Sequence, residues 1–429
     1  MNYQQAEAFH EKAKAYGSIL GLDNIRRLMY ELGDVWKTLN IIHVAGTNGK
    51  GSVCCFLASM LKEAGYRVGQ YNSPAVFSHR EIYRINGEEI SKEEYAACME
   101  RVKYGCEKLA EQGKPHPTVF EVETALAFLW FAEKKCDIVI LEVGMGGSTD
   151  ATNLITHPLC SVITSISRDH MKYLGDSIGE IAKIKSGIIK EGCPVVTAIQ
   201  REEAAGVIYD CAKEKHAPCY VAADLKAGRV SQGRRKIDHP EFGGLQLSML
   251  GSYQVENAAL AIEVIDVLNK NGSIQISADE IRQGMLQACW RGRFERVSKE
   301  PLIYLDGAHN LDGTIKLKET LSEGFGSKKK IGIMGVMADK EYRKMVQILG
   351  PLFSKIYAVT PDNPRALPGE KLAEEIRALG FEGIFFAEVR GAVKAAYFEA
   401  LSENSMVMVF GSLYYLNEVR EALHEITGD

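Results

Sequence analysis

The 429-residue chain has no long apolar segment and no large excess of charge of either sign. Its longest apolar run covers residues 125–132, far fewer than the roughly 20 residues that span a bilayer. The N-terminus also lacks the basic-then-apolar pattern of a signal peptide. A net charge of −5 gives no global attraction to nucleic acid or to an acidic membrane surface. We therefore expect a cytoplasmic protein with neither nucleic-acid nor membrane partners.

The sequence also gives no sign of a disulfide framework or of a covalent nucleophile. Its ten cysteines form no CxxC pair and no regular spacing, which predicts reduced, buried thiols. We expect no nucleophile elbow, and no cysteine has an obvious base beside it. Internal repeats and low-complexity tails are missing as well. The apolar content of 46% with 25% charged residues is typical of a globular protein with sizeable cores.

The order of the predicted elements indicates an α/β fold with more than one domain. A chain of 429 residues is long enough for two or three domains. Two predicted helices over residues 3–32 are followed by strands that alternate with helices, which predicts a parallel sheet with helices on both faces. The predicted strands of this first series cover residues 41–44, 67–71, 136–142, 160–164 and 194–197.

Two later stretches define the predicted domain boundary. Residues 218–250 are glycine-rich and strand-prone, and we expect them to form a small β-rich excursion of the first domain. A second strand and helix series begins near residue 302. The sequence therefore predicts one domain over residues 1–292 and a smaller one over residues 293–429.

A glycine-rich turn between a strand and a helix is the feature around which the chain is organised. The strand over residues 41–44 runs into Gly46-Thr-Asn-Gly-Lys-Gly-Ser52. Glycines let a phosphate approach the backbone, and the N–H groups that begin the next helix attract anions. Lys50 adds a positive charge, and the hydroxyl of Ser52 or Thr47 can reach a magnesium ion. The turn predicts a bound nucleoside triphosphate, although a glycine separates the lysine from the hydroxyl, unlike the common P-loop.

Further polar residues follow predicted strands at the same sheet edge. Glu142 ends a buried strand, where α/β proteins that bind nucleotides place a magnesium carboxylate. Ser73 and His170 lie just after two other strand ends. Hydroxyl, carboxylate, imidazole and water can together hold magnesium, although imidazole is more typical of softer metals. The sequence therefore predicts a metal site that comprises Ser52, Ser73, Glu142 and His170.

These residues and several others resemble the folylpolyglutamate synthase/dihydrofolate synthase family, a branch of the Mur ligase superfamily. The resemblance runs from about residue 20 to about residue 418 and rests on Gly46-Thr-Asn-Gly-Lys-Gly-Ser52, Glu142-Val-Gly-Met-Gly-Gly147, Asp150-Ala-Thr-Asn153, Asp169-His170, Leu305-Asp-Gly-Ala-His-Asn310 and Phe410-Gly-Ser-Leu413. It implies a P-loop-containing parallel-sheet domain of the Mur ligase central type, followed by a smaller Rossmann-like α/β domain. It also implies ATP-dependent amide bond formation between a folate or pteroate carboxylate and L-glutamate.

The resemblance assigns roles to individual residues. It implies catalytic roles for Lys50, Glu142, His170 and Lys185, the last as a carbamylated lysine that acts like a carboxylate. The magnesium ligands, for one or two ions, would be Ser52, Ser73, Glu142 and His170. Near the pterin would lie Thr118, Phe120 and Asp150. The ATP-binding residues, which would complete the nucleotide site across the domain cleft, would be Gly46, Thr47, Asn48, Gly49, Lys50, Gly51, Ser52, Asn257, Arg293, Asp306 and His309.

Three departures from the family pattern leave the pterin substrate open. The family usually has Ser-Pro-His-Leu, Gly-Gly-Arg-Leu-Asp and Glu-Lys-Ala-Gly where this chain has Ser73-Pro-Ala-Val76, Gly146-Gly-Ser-Thr-Asp150 and Ile184-Lys-Ser-Gly187. Dihydropteroate, a reduced folate or both therefore remain candidate acceptors. Because the acyl phosphate intermediate would hydrolyse in open water, we also expect a hinge near residue 292 that closes the cleft. The even charge and the lack of a long coiled stretch favour a monomer.

Two other functions are consistent with the phosphate turn. One is a cell-wall amino acid ligase acting on a UDP-linked peptide, but such enzymes usually carry threonine directly after the lysine, where this chain has Gly51. The other is a nucleotide-switched binding protein. Such a switch would not need carboxylate and histidine ligands on the substrate side, nor Asp306 and His309 in a second domain.

Overall fold

The structure is a computed structural model that describes residues 1–17, 21–169, 174–228, 230–231 and 233–428. Two compact units form the chain. The first comprises residues 1–225 and 256–288, and the second comprises residues 226–255 and 289–429. The predicted domain boundary at residue 292 is not tested by these contact units and stays a prediction.

The first unit is built on an eight-stranded sheet in the order β4-β3-β2-β5-β1-β6-β7-β8. Its strands are β1 Ile41–Ala45, β2 Val68–Tyr71, β3 Tyr83–Ile85, β4 Glu88–Glu89, β5 Ile138–Glu142, β6 Cys160–Ile163, β7 Val195–Thr197 and β8 Cys219–Val221. Strands β2, β5, β1, β6, β7 and β8 are parallel, while β3 and β4 form an antiparallel edge. Every residue of β1 and β5 is buried, as expected when helices cover both faces of a parallel sheet.

Nine α-helices belong to the described part of this unit. They are α1 Tyr3–Ala13, α2 Asp23–Glu31, α3 Lys50–Glu63, α4 Lys92–Glu111, α5 Val119–Glu133, α6 Ile178–Lys185, α7 Glu202–Glu214, α8 Gln254–Lys270 and α9 Ala278–Gln287. Four of them start with a capping box, in which a serine or threonine and a glutamate three residues later satisfy each other's backbone N–H; these N-caps are Ser91, Thr118, Ser177 and Ser277.

The second unit contains two sheets. A six-stranded sheet has the order β12-β13-β17-β14-β15-β16, and a three-stranded sheet has the order β11-β10-β9. Their strands are β9 Val230–Ser231, β10 Arg234–His239, β11 Gly243–Leu247, β12 Glu295–Lys299, β13 Leu302–Leu305, β14 Lys330–Met334, β15 Lys355–Ala358, β16 Gly383–Phe385 and β17 Met406–Phe410. The helices are α10 Leu311–Phe325, α11 Tyr342–Leu349, α12 Gly369–Ala378, α13 Val389–Glu403 and α14 Leu416–Thr427.

The β-rich excursion, which the sequence assigned to the first domain, packs within the second compact unit. Arg235 of β10 is fully buried, and its guanidinium donates to the carbonyl of Leu250 at 2.8 Å and to Glu323 of α10 at 3.3 Å. The backbone N–H of Ser252 donates to Thr320, also on α10, at 2.9 Å. Its assignment to the first domain stays a prediction, and these contacts could not be predicted because glycine-rich strands carry no local signal for the helix that they pack against.

Two of the general sequence predictions can be compared directly with the structure. The ten cysteines all lie in the described part of the chain, and each is a free thiol; seven are buried as predicted, whereas Cys193 and Cys219 are partly exposed and Cys289 is exposed. Among the described residues, no helix combines the length and the apolar character needed to cross a bilayer. The mixed α/β architecture with parallel sheets is confirmed, although the short, partly exposed strands β12 and β16 were not predicted.

Candidate nucleotide and magnesium site

The glycine-rich turn is tied to the loop after β6. The Thr47 backbone N–H donates to the carbonyl of Ser165 at 2.9 Å. The Thr47 hydroxyl donates to the carbonyl of Ser167 at 3.1 Å and accepts from the Ser167 N–H at 3.1 Å. Because the Thr47 hydroxyl already has two partners, it holds the turn in place. The other hydroxyl that the sequence offered for magnesium, that of Ser52, is buried in the first turn of α3, and its role as a ligand stays a prediction.

The helix start presents its donors and a cation to the turn. Helix α3 begins at Lys50, and the residue before it, Gly49, supplies no capping side chain. The Lys50 ammonium lies 3.3 Å from the carbonyl of Thr47 and 3.9 Å from a carboxylate oxygen of Glu142. Backbone donors at a helix N-terminus together with an ammonium group form a site for phosphate. The predicted phosphate turn therefore has the geometry that its sequence indicated.

Gly49 is required by conformation and by space. Its φ is +89°, and a Cβ at this position would overlap the Oδ1 atom of Asn257 on α8. Gly65, at the end of α3, has a similar φ of +84° but no atom within 4 Å of the added Cβ. Asn257, a predicted ATP ligand, thus contacts the turn, and its role in ATP binding stays a prediction.

Replacing Gly49 with alanine is expected to weaken ATP binding by about tenfold or more, because the turn must shift away from Asn257. The matched control is Gly65→Ala, which carries only the left-handed backbone strain of about 1 kcal/mol. Thermal unfolding and nucleotide titration of both variants measure the two effects separately. Equal losses of ATP affinity in the two variants would contradict the role given to the Gly49 position.

Glu142 is oriented by two side chains that the sequence reasoning missed. It is buried at the end of β5, and its Oε2 atom accepts a hydrogen bond from the Asn72 amide at 2.6 Å. The Asn72 Oδ1 atom in turn accepts from the Gln70 amide at 2.7 Å. Gln70 and Asn72 are two residues apart and therefore point to the same side at the end of β2. This alternation of side chains along the strand is the sequence signal that could have identified them. The pair fixes Glu142 beside Lys50.

The oxygen donors at this edge suit a magnesium ion. Ser52 follows Lys50 in α3, Ser73 follows Asn72, and Glu142 is a carboxylate held in one orientation. Hydroxyl and carboxylate oxygens are ligands that Mg²⁺ accepts, with water completing the shell. The fourth predicted ligand, His170, lies outside the described residues. These residues therefore fit the predicted ion by their chemistry.

Lys185 is a buried lysine next to the phosphate turn. It ends α6, is 4% exposed, and its ammonium donates to the carbonyl of Gly46 at 2.7 Å. Burial, with the charge of Lys50 adding to it, lowers the pKa of Lys185 to about 7, while Asp169 and Asp150 act in the opposite direction. An exposed helix lysine would have an ordinary pKa, so this amine is set apart by its surroundings. Its carbamylation stays a prediction.

Asp150 organises the loop after β5. One carboxylate oxygen accepts from the Met145 N–H at 2.9 Å, and the other accepts from the Thr152 hydroxyl at 2.6 Å and the Thr152 N–H at 3.0 Å. The same hydroxyl is 2.9 Å from Nε2 of the buried His43. Burial raises the pKa of Asp150 and lowers the pKa of His43 to about 3. These contacts are structural, and contact of Asp150 with a pterin stays a prediction.

The two other residues predicted near the pterin differ in availability. The Thr118 hydroxyl accepts from the Glu121 N–H at 3.3 Å and donates to the Glu121 carboxylate at 3.0 Å, so it caps α5. Phe120 is partly exposed, and its ring lies 6.3 Å from that of Tyr71 and against Gly144. An aromatic face with open surface suits stacking with a flat heterocycle. Phe120 is therefore the better candidate of the two.

The predicted residues of the second unit lie on two loops, with Arg293 before β12 and with Asp306 and His309 after β13. The Asp306 carboxylate accepts from the Phe294 N–H at 2.8 Å, the Ala308 N–H at 2.8 Å and the Tyr253 hydroxyl at 2.7 Å. Burial raises the pKa of Asp306. Arg293 donates to the carbonyl of Gly292 at 3.3 Å, and Nδ1 of His309 lies 2.8 Å from the carbonyl of Gly307. Asp306 thus joins the two loops that carry Arg293 and His309, both partly exposed.

Comparison with known proteins identifies the family. Residues 44–265 match the Mur ligase middle domain, and residues 292–413 match the glutamate ligase domain of Mur ligases. The dihydrofolate synthase/folylpolyglutamate synthase of Bacillus subtilis is 38% identical over 429 residues, which cover 98% of this chain and 99% of the relative. The chain belongs to the folylpolyglutamate synthase/dihydrofolate synthase family of Mur ligases. The folylpolyglutamate synthase of Lacticaseibacillus casei is 33% identical, with 99% of each chain covered.

Solved structures of this family agree with the fold. Crystal structures of Mycobacterium tuberculosis folylpolyglutamate synthase complexed with ADP and AMPPCP match with a TM-score of 0.87 and 27% identity, covering 99% of this chain and 98% of the other. The predicted class of enzyme, an ATP-dependent amino acid ligase of folate glutamylation, is confirmed by this membership. The two-domain α/β architecture is confirmed as well, whereas the roles of individual site residues stay predictions.

Proposed function

We propose that this folylpolyglutamate synthase homologue adds L-glutamate both to dihydropteroate and to reduced folates. The observation that carries the proposal is the pairing of Lys50 with Glu142, 3.9 Å apart, beside a glycine-rich helix start. The use of both acceptors is supported by the B. subtilis relative, whose name combines the two activities. The departures from the family pattern at Ala75, Ser148 and Ser186 also leave both acceptors open.

A carboxylate needs activation before an amine can displace one of its oxygens. Transfer of the γ-phosphoryl group of ATP to the acceptor carboxylate gives ADP and an acyl phosphate. The glutamate amine then attacks the carbonyl carbon, the carbon–oxygen bond to phosphate breaks, and the amine loses a proton as the amide forms. The first step brings two anions together, so cationic groups must lie at the transferring phosphate.

The residues of this chain supply that environment. Lys50 and the first N–H groups of α3 would bind the β- and γ-phosphates and stabilise the charge in the transition state. A magnesium ion held by Ser52, Ser73 and Glu142 would act as a Lewis acid toward the same phosphates. The Asn72 amide would keep the Glu142 carboxylate in one orientation throughout, since it donates to Oε2 at 2.6 Å.

Incubation of the chain with ATP, magnesium, L-glutamate and one acceptor at a time tests the proposal. We expect mass spectrometry to detect one added glutamate on dihydropteroate and one or more on a reduced folate, with ADP formed only when acceptor and glutamate are both present. If product forms with the reduced folate but not with dihydropteroate, the activity is that of a folylpolyglutamate synthase only. Slow ATP hydrolysis without acceptor or glutamate, and no ligated product, would overturn it.

Replacing Glu142 with glutamine is expected to raise the magnesium concentration for half-maximal activity by about tenfold or more, since the amide removes the charge but keeps the shape. The exposed Glu111→Gln at the end of α4 is the control and should leave this concentration unchanged. Initial rates over a magnesium series measure the shift. An unchanged magnesium dependence in Glu142→Gln would remove this residue from the metal site.

Several finer statements stay predictions. They concern ATP contacts of Asn257, Arg293, Asp306 and His309, the number of magnesium ions, a monomeric state and a cytoplasmic location. Light scattering of the purified chain, with and without nucleotide, measures whether it is a monomer. Alanine substitution at Arg293 tests its role in ATP binding. The loops around it should keep their conformation in this variant, because Asp306 holds them through three hydrogen bonds.

A further inference from the structure

A cluster of metal-ligating side chains lies on the first unit outside the residues assigned to phosphate, magnesium or pterin. It comprises His10 and Glu11 of α1 and His79 of the 3₁₀ helix His79–Ile82. One ligand atom from each of the three residues lies within 4.8 Å of the other two. We propose that these three residues bind one divalent transition ion of the zinc type. Two imidazoles with one carboxylate suit such an ion better than they suit magnesium.

The contacts of His10 place its Nε2 atom on a carboxylate and its Nδ1 atom near Glu11. It is buried, and its Nε2 atom lies 2.7 Å from the Oε1 atom of Glu123. A carboxylate only accepts hydrogen bonds, so Nε2 donates to Glu123 and Nδ1 is the ring nitrogen that can bind an ion. That Nδ1 atom lies 3.8 Å from Oε1 of Glu11. A carboxylate behind a histidine is the usual support of a metal-bound imidazole.

The third ligand completes a triangle of suitable size. Nε2 of His79 lies 3.7 Å from the same Oε1 atom of Glu11. In a tetrahedral zinc site, bonds of about 2.0 Å place neighbouring ligand atoms roughly 3.3 Å apart. The two distances to Glu11 exceed that value by about half an ångström, and Glu11 and His79 are both exposed enough to rotate. Water can occupy the fourth position.

Lys14 competes with the ion for Glu11. Its ammonium lies 2.6 Å from Oε1 of Glu11, in an ion pair that is 47% exposed on the lysine side. Exposed pairs of this kind contribute little to stability, so an ion with two imidazole ligands can displace the lysine. Removing Lys14 should therefore tighten metal binding. A purely structural role of the cluster does not predict a gain of this sign.

The ion would connect α1 to the segment that follows Ser73. Glu81, in the same short helix as His79, accepts hydrogen bonds from the Phe77 N–H at 2.8 Å and from the Val76 N–H. A metal at His79 would thus anchor one end of the loop over residues 74–78. Its expected effect is on the stability of this loop, and it is independent of the ligase activity proposed above.

The test uses the full chain without a histidine tag, after treatment with a chelator. Zinc titration by calorimetry and cobalt titration by visible absorption are compared for the native sequence, His79→Ala, Lys14→Ala and His216→Ala. His216 is a matched control because it is exposed and paired with Glu191 at 2.7 Å on the same unit. We expect one ion per chain, binding at least about tenfold weaker in His79→Ala and severalfold tighter in Lys14→Ala, with no change in His216→Ala.

Three results would overturn the proposal. Absence of saturable binding would mean that the cluster is a network of ion pairs and hydrogen bonds and not a metal site. Equal affinity of the native chain and His79→Ala would place the ion elsewhere, for example at the predicted magnesium residues. A thiolate-to-cobalt charge-transfer band would place it on a cysteine, such as the exposed Cys289.

Discussion

Replacing Lys50 with alanine is expected to abolish ligation of glutamate to either acceptor, with a loss of about 10³-fold in kcat/KM. The Lys50 ammonium is 17% exposed and lies 3.3 Å from the carbonyl of Thr47, so the turn holds it where a phosphate would bind. No other cation of the turn can replace it, since the remaining residues of Gly46–Ser52 are neutral. The loss should affect both acceptors equally because ATP is common to the two reactions.

The control for this variant is Lys62→Ala, which removes an exposed lysine from the last turn of the same helix. It should keep full activity, and both variants should unfold at similar temperatures. Nucleotide titration then locates the defect: Lys50→Ala should bind ADP more weakly than the control. If Lys50→Ala instead turns over either acceptor at the native rate, the turn is not the site of phosphoryl transfer.

The phosphate turn could be predicted from sequence because its physical requirements are local. A buried strand, glycines at Gly46 and Gly49, a lysine and a helix follow one another within 13 residues, and the structure gives both glycines a positive φ. Glu142 was found for the same reason, since it directly ends a buried strand. The sequence could not decide between the hydroxyls of Thr47 and Ser52, because the partners of Thr47 lie some 120 residues away at Ser167.

What the sequence could not provide depends on long-range packing. Asn72 reaches Glu142 across 70 residues, and nothing near either position predicts the contact. The burial of Lys185 was hidden as well, because a lysine in the last turn of a helix is ordinarily exposed. Its burial follows from close packing of the loop after β5, where the Ser148 N–H donates to the carbonyl of Ile184 at 3.0 Å. The same applies to residues 226–255, whose partners are on α10.

Replacing Lys185 with alanine is expected to lower activity by about 100-fold, and a short carboxylic acid such as acetate should restore part of it. Burial lowers the pKa of Lys185 to about 7, so roughly nine-tenths of this amine is neutral at pH 8. Only a neutral amine can attack carbon dioxide, forming a carbon–nitrogen bond and releasing a proton. Bicarbonate-dependent activity of the native chain should therefore rise as the pH passes upward through 7, and level off above it.

Lys183 provides the matched control, two residues earlier on the same helix. It is 60% exposed and lies 3.6 Å from Glu214, so Lys183→Ala should keep both its activity and its response to bicarbonate. Rescue by acetate distinguishes a role of Lys185 as a carbamate from a structural role of its amine. An external carboxylate can replace a carbamate, but it cannot replace the buried ammonium group. Two results together would contradict the carbamate: no carboxylic acid restores the activity of Lys185→Ala, and bicarbonate does not change the activity of the native chain. Lys185 would then be a positioning residue that donates to the carbonyl of Gly46 at 2.7 Å.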